Sequence, residues 1–139
     1  MAAGERNDGA WRAFVAGERS EPPVGLRWPG TLGDEDEEPT WDAFRPADDA
    51  VLACTCEAWA ATNGRHWLIL FAGAGEREAV HLRLPTDRYE YVPVDPAAGR
   101  CGEPRRMIVA DTVHLTVPPF DRATLLWLRT VIEPESERR

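Results

Sequence analysis

From Ala50 onward the apolar residues recur at every second position, and no other feature restricts the fold of this chain so strongly. VLACTCEAWAAT, RHWLILFAG, EAVHLRLP, RYEYVPVDP, RMIVAD, DTVHLTVP and ATLLWLRTV are alternating or wholly apolar runs. Turn-forming stretches separate most of them: Asn63-Gly64, Gly73 to Glu76, Pro85 to Asp87, Asp95 to Gly99 and Pro118 to Asp121. Side chains of an extended chain point alternately to its two faces, so a period of two marks a strand with one buried face. Short strands at this spacing predict an all-β fold, an antiparallel, Greek-key-like β-sandwich. Asn63-Gly64 is the strongest hairpin signal, since both residues accept the positive φ of a type I′ turn.

The runs also assign faces. Val80, Leu82 and Leu84 point away from His81 and Arg83, and Val113, Leu115 and Val117 point inward while His114 and Thr116 point out. WLILF, Trp67 to Phe71, is apolar on both faces and is expected to be a central strand. In RYEYVPVDPAAGR, Tyr89 and Tyr91 share a face, and Asp95-Pro96 with Gly99 closes the strand in a surface turn.

The preceding part has a different texture. GAWRAFVAGER, Gly9 to Arg19, spaces Trp11, Phe14, Val15 and Glu18 by three and four, with Asp8 as a cap and Gly17 as a stop. This predicts a short amphipathic helix, which Pro22-Pro23 prevents from resuming. Its stripe of Trp11, Phe14 and Val15 is a candidate interface, because so short a helix is stable only when packed on the sandwich or another chain. Self-packing is the expected outcome, giving a monomer or a weak homodimer. Glu21 to Asp49, with Pro22, Pro23, Pro29, Pro39, Pro46 and the acidic run DEDEE, reads as an extended strap. Trp28, Trp41 and Phe44 give that strap apolar surface to bury. The expected organisation is a helix and strap over residues 1–48, a sandwich over 49–132 and a polar tail over 133–139.

Sixteen basic residues, all arginine, face twenty-four acids, for a net charge of −8. That balance argues against nucleic acid, whose binding draws on clustered cations. The longest apolar run, Trp67 to Ala74, is far short of the roughly 20 residues of a membrane-spanning helix. MAAGERNDGA carries no apolar signal-peptide core, so a cytoplasmic protein is expected. Three cysteines without an export signal argue against a disulfide scaffold.

The succession WLILFAGAGE, EAVHLRLP, RYEYVPVDPAAGR and VHLTVPPFDRATLLWL resembles the C-terminal β-sandwich of glycoside hydrolases. It is most similar to the domain after the catalytic barrel in the α-amylase superfamily, including the glycogen-debranching and trehalose-forming branches. The shared pattern is an apolar strand, an alternating strand closing on Leu84-Pro85, an aromatic strand entering an Asp-containing turn, and a final strand introduced by Pro118-Pro119. It covers Asp49 to Val131 and consists of strands and turns rather than a catalytic motif. Ala72 departs from it where such domains often carry asparagine, and the barrel with its cleaving carboxylates is missing from the sequence. The resemblance implies a non-catalytic accessory domain, without cofactor, that stabilises or positions a carbohydrate-active enzyme or weakly holds an α-glucan or oligosaccharide.

Sugars stack on planar rings, which makes Trp59, Trp67, Tyr89 and Tyr91 candidate carbohydrate-binding residues, with core packing as their competing role. Two alternatives to the accessory domain are a stand-alone carbohydrate-binding module and a small cytosolic enzyme or metal protein. The latter would use Cys54, Cys56 and Cys101 with His66, His81 or His114. Cys54 and Cys56 on one strand face with Leu52, Ala58 and Ala60 read instead as small core residues, so no metal site is expected. Nor is a catalytic residue assigned. DEDEE lies in a loop, Glu57 and Glu90 are expected to face water, and no carboxylate pair converges on one bond. Ser20 and Ser136 lack the nucleophile elbow, and GAGE, Gly73 to Glu76, reads as a hairpin turn rather than a phosphate loop.

Overall fold

A computed structural model of the chain describes residues 3–23, 41–54, 57–72, 78–95, 100–117 and 123–131. Helix α1 (Ala3–Val15) and a 3-10 turn (Trp41–Ala43) come before the strands. These are β1 (Arg45–Pro46), β2 (Val51–Cys54), β3 (Glu57–Thr62), β4 (His66–Ala72), β5 (Glu78–Arg83), β6 (Asp87–Asp95), β7 (Arg100–Cys101), β8 (Arg105–Val109), β9 (Thr112–Val117) and β10 (Ala123–Thr130). One sheet runs β1-β3-β4-β10-β6-β7, with β8 also paired to β6, and the other runs β2-β5-β9. Every pairing is antiparallel. The chain is therefore the all-β sandwich that its period of two predicts. Both β4-β5-β6 and β8-β9-β10 visit the small sheet, so that β10 returns to lie between β4 and β6.

The large sheet is covered on both faces. Leu68 and Leu70 of β4, Val92 and Val94 of β6, and Leu125 and Trp127 of β10 share one core with Trp11, Phe14, Val15 and Phe44. Ile69, Phe71, Tyr89, Leu126 and Leu128 share the other with Val80, Leu82 and Leu84 of the small sheet. Residues His66 to Phe71 are buried without a break, as a central strand requires.

The helix stripe packs on its own sandwich: Trp11, Phe14 and Val15 are 0%, 1% and 1% exposed. Phe14 meets the rings of Trp11 at 6.1 Å and Trp41 at 6.0 Å, both edge-on, and Trp41 in turn lies 6.1 Å from Trp127. Trp41 and the helix thus cover the same sheet face, while Trp28 and DEDEE lie outside the described residues. The helix starts at Ala3, so Asp8 is inside it rather than at its cap. It stops as expected at Gly17, whose φ of 82° accompanies hydrogen bonds from Gly17 N–H to the Phe14 carbonyl and from Glu18 N–H to the Ala13 carbonyl.

Three local expectations are corrected. VLACTCEAWAAT is not one strand: β2 pairs β5 in the small sheet and β3 pairs β4 in the large one. Leu52 is accordingly 39% exposed, not on a shared core face with the buried Ala60. Cys56, together with the side chain of Cys54, lies outside the described residues. The sheet also begins ahead of residue 49, since Arg45 and Pro46 pair with Thr62 and Ala61. Finally, the β3–β4 hairpin forms at Asn63-Gly64 but not as a type I′ turn, for only Gly64 of the pair has positive φ, 101°. The Asn63 Oδ1 accepts from the N–H groups of Arg65 and His66 at 3.0 and 2.8 Å, so its side chain takes the part of a backbone carbonyl.

Candidate functional site

The four candidate aromatics do not form one platform. Trp67 and Tyr89 face the inter-sheet core, ring edge to ring face at 5.5 Å, with exposures of 5% and 0%. Tyr89 is further tied by its hydroxyl, which donates to the Pro85 carbonyl at 2.7 Å; burial, and then Asp87, pushes its pKa up to about 12. Tyr91 is partly buried against the same core. Trp59 belongs to the other face, packed against the helix-side core with the Arg12 guanidinium 4.3 Å above its ring. Period two places residues on faces, but it cannot say which face of a doubly covered sheet a given strand presents to which layer.

Sequence reasoning missed a polar row on the helix-side face. Glu90 is paired with Arg106 on β8 and with Arg129 on β10, and Arg129 is paired with His66 on β4. Glu90 does not face water: its side chain is 14% exposed. Its Oε2 accepts from Arg106 Nε at 3.0 Å, and its Oε1 accepts from Arg129 Nε and Nη2 at 3.2 and 3.1 Å. Beyond it His66, 3% exposed, accepts the indole N–H of Trp127. These residues are far apart in sequence, and strand register alone brings them together.

Two concavities are found among the described residues. Arg88, Tyr89, Arg106, Met107, Ile108 and Val131 line one of about 390 Å³, and of these Ile108 is 76% exposed. The other, about 420 Å³, lies where β4, β5 and the β8–β9 turn meet the segment before β2. Trp67, Asp49, Thr62, Arg83 and Asp111 line it. Asp111 is held in the left-handed region, φ 80°, as the chain crosses from β8 to β9, and its carbonyl accepts the Leu84 N–H at 3.0 Å.

The cysteine and histidine set is not assembled among the described residues. His81 and His114 stack across β5 and β9 with ring centroids 4.0 Å apart, His66 lies on the helix side of the large sheet, and Cys101 is on β7. No group of three or more potential metal ligands occurs among those residues. No described helix is long and apolar enough to cross a membrane. No protein-family model matches the chain, and no curated protein matches its sequence.

Proposed function

We propose that this chain is a non-catalytic accessory domain, similar to the C-terminal sandwich of α-amylase-type glycoside hydrolases, that stabilises or positions a carbohydrate-active enzyme. The supporting observation is the spatial arrangement of the strands that carry the resemblance. The apolar β4, the aromatic β6 and β10, which follows Pro118-Pro119, lie side by side as β4-β10-β6, and the alternating β5 lies in the sheet packed over them. Glu90 agrees with this role. A glycosidase acid must be kept protonated until it gives up its proton, whereas both Glu90 oxygens accept from guanidinium groups, the bonding of a structural ion pair.

Recovery of the tagged chain from its native cells, followed by reconstitution with any co-purifying enzyme from purified components, tests the reading. A barrel-type carbohydrate-active enzyme that binds stoichiometrically and gains thermal stability from the chain is the expected result. Turnover of an α-glucan by the purified chain, abolished by changing a single acid, overturns it.

A further inference from the structure

We infer that the cleft around Trp67 is a binding site for a small neutral polyhydroxylated ligand, a saccharide or another polyol. Trp67 is 5% exposed, yet among the described residues its indole N–H makes no hydrogen bond, nor is it sealed from solvent. An indole this deeply packed ordinarily finds a partner for its N–H, as Trp127 does in His66. Trp67 lines the cleft, which makes its N–H, unbonded among the described residues, the candidate indole donor there.

The remaining polar groups narrow the ligand. Asp49 and Asp111 carry carboxylates that need donors, whereas Arg83 and the Trp67 N–H need acceptors. Arg83 Nε stands 3.9 Å from Asp111 Oδ1, too long for a hydrogen bond, with side chains 59% and 70% exposed. Both groups retain capacity for a ligand. An anion would satisfy the donors but meet two carboxylates, and a cation would satisfy the carboxylates but meet a guanidinium and an N–H. Adjacent hydroxyl groups supply donors and acceptors from one neutral body. The volume, about 420 Å³, falls in the range of roughly 300 to 1,000 Å³ of small-molecule sites. The backbone of Asp111 is anchored by the Leu84 N–H, which donates to its carbonyl at the crossing between sheets. The inference goes beyond the accessory role and rests on the cleft alone.

Titration of the whole chain with maltose, trehalose and myo-inositol, read by the indole and backbone N–H resonances in ¹H–¹⁵N spectra, tests it, the backbone resonances reporting on the variants. Saturable movement of one indole resonance, absent from Trp67→Phe, is expected with at least one probe. Trp67→Phe keeps an aromatic ring in the core, though a smaller one, and removes the donor, while Asp111→Asn keeps a side chain that tolerates positive φ and removes the charge. Each should weaken binding by a few-fold to about tenfold, because the ligand loses one hydrogen-bond partner. If Trp67→Phe does not fold, Asp111→Asn decides alone. No saturation with any probe, binding unchanged in the folded variants, or saturation by acetate or methylammonium in place of the polyols overturns the site. Such a failure leaves the accessory role standing, because co-purification reads that role separately.

Discussion

Trp127 on β10 donates its indole N–H to Nδ1 of His66 on β4 at 3.1 Å, and this bond places the imidazole proton on Nε2. Burial, followed by the charges of Arg65 and Arg129, lowers the His66 pKa from 6.5 to about 3. As pH falls below 6.5 the unfolded chain takes up the proton and the folded chain does not. The contribution of His66 to stability is therefore complete above pH 6.5 and is lost progressively toward pH 3. Urea unfolding between pH 7 and 4 should show stability falling by up to about 1.4 kcal/mol per pH unit from this group. His66→Gln should flatten that slope, and an equal slope in both proteins would count against the assignment.

Glu90 should matter more than the exposed Arg106. Glu90→Gln takes the charge from a carboxylate that accepts twice from Arg129, itself 14% exposed at its side chain, and is expected to cost about 2 to 3 kcal/mol. Arg106→Gln removes a side chain that is 69% exposed and should cost less than about 1 kcal/mol. Chemical denaturation of both variants checks the ordering, and a reversed ordering refutes it.

Trp11→Ala empties the contact between α1 and the large sheet. A loss of about 3 to 5 kcal/mol is expected, as for other buried tryptophans. Light scattering beside the thermal scan separates folding from association. The mass should not change while the unfolding temperature drops, and a drop in mass at constant unfolding temperature would assign the stripe to an interface between chains.

Asn63→Ala removes the acceptor shared by two backbone N–H groups of the β3–β4 turn. The expected loss is about 1 to 2 kcal/mol. Asn63→Asp, which keeps the acceptor, should retain most of the stability. Equal losses in the two variants would show that the side chain does not hold the turn.

The elements legible in the sequence were those written in local periodicity. Trp11, Phe14 and Val15 fall on one helical face, and Trp67 to Phe71 are apolar on both strand faces, so the helix-to-sheet packing and the central β4 could both be read. The break between β2 and β3 was hidden because alternation continues through Thr55-Cys56 without a glycine or proline to mark it. The polar row was hidden for another reason. Glu90 and Arg129 are 39 positions apart and His66 and Trp127 are 61 apart, and their meeting depends on the β4-β10-β6 order, which no local pattern encodes. Trp67 was legible as an aromatic candidate but not as an unbonded donor, since the partners of an indole N–H are tertiary facts.

The position of β10 has a consequence for biosynthesis. A strand late in the sequence is a middle strand in space, inserted between β4 and β6. While the chain emerges from the ribosome, β4 and β6 must wait for residues 123–130 before the edges they present to each other can be filled. During that interval two apolar strands offer unpaired backbone to any neighbouring nascent chain. Slow folding from long-range pairing, and sensitivity to crowding on polysomes, follow from where one strand was placed.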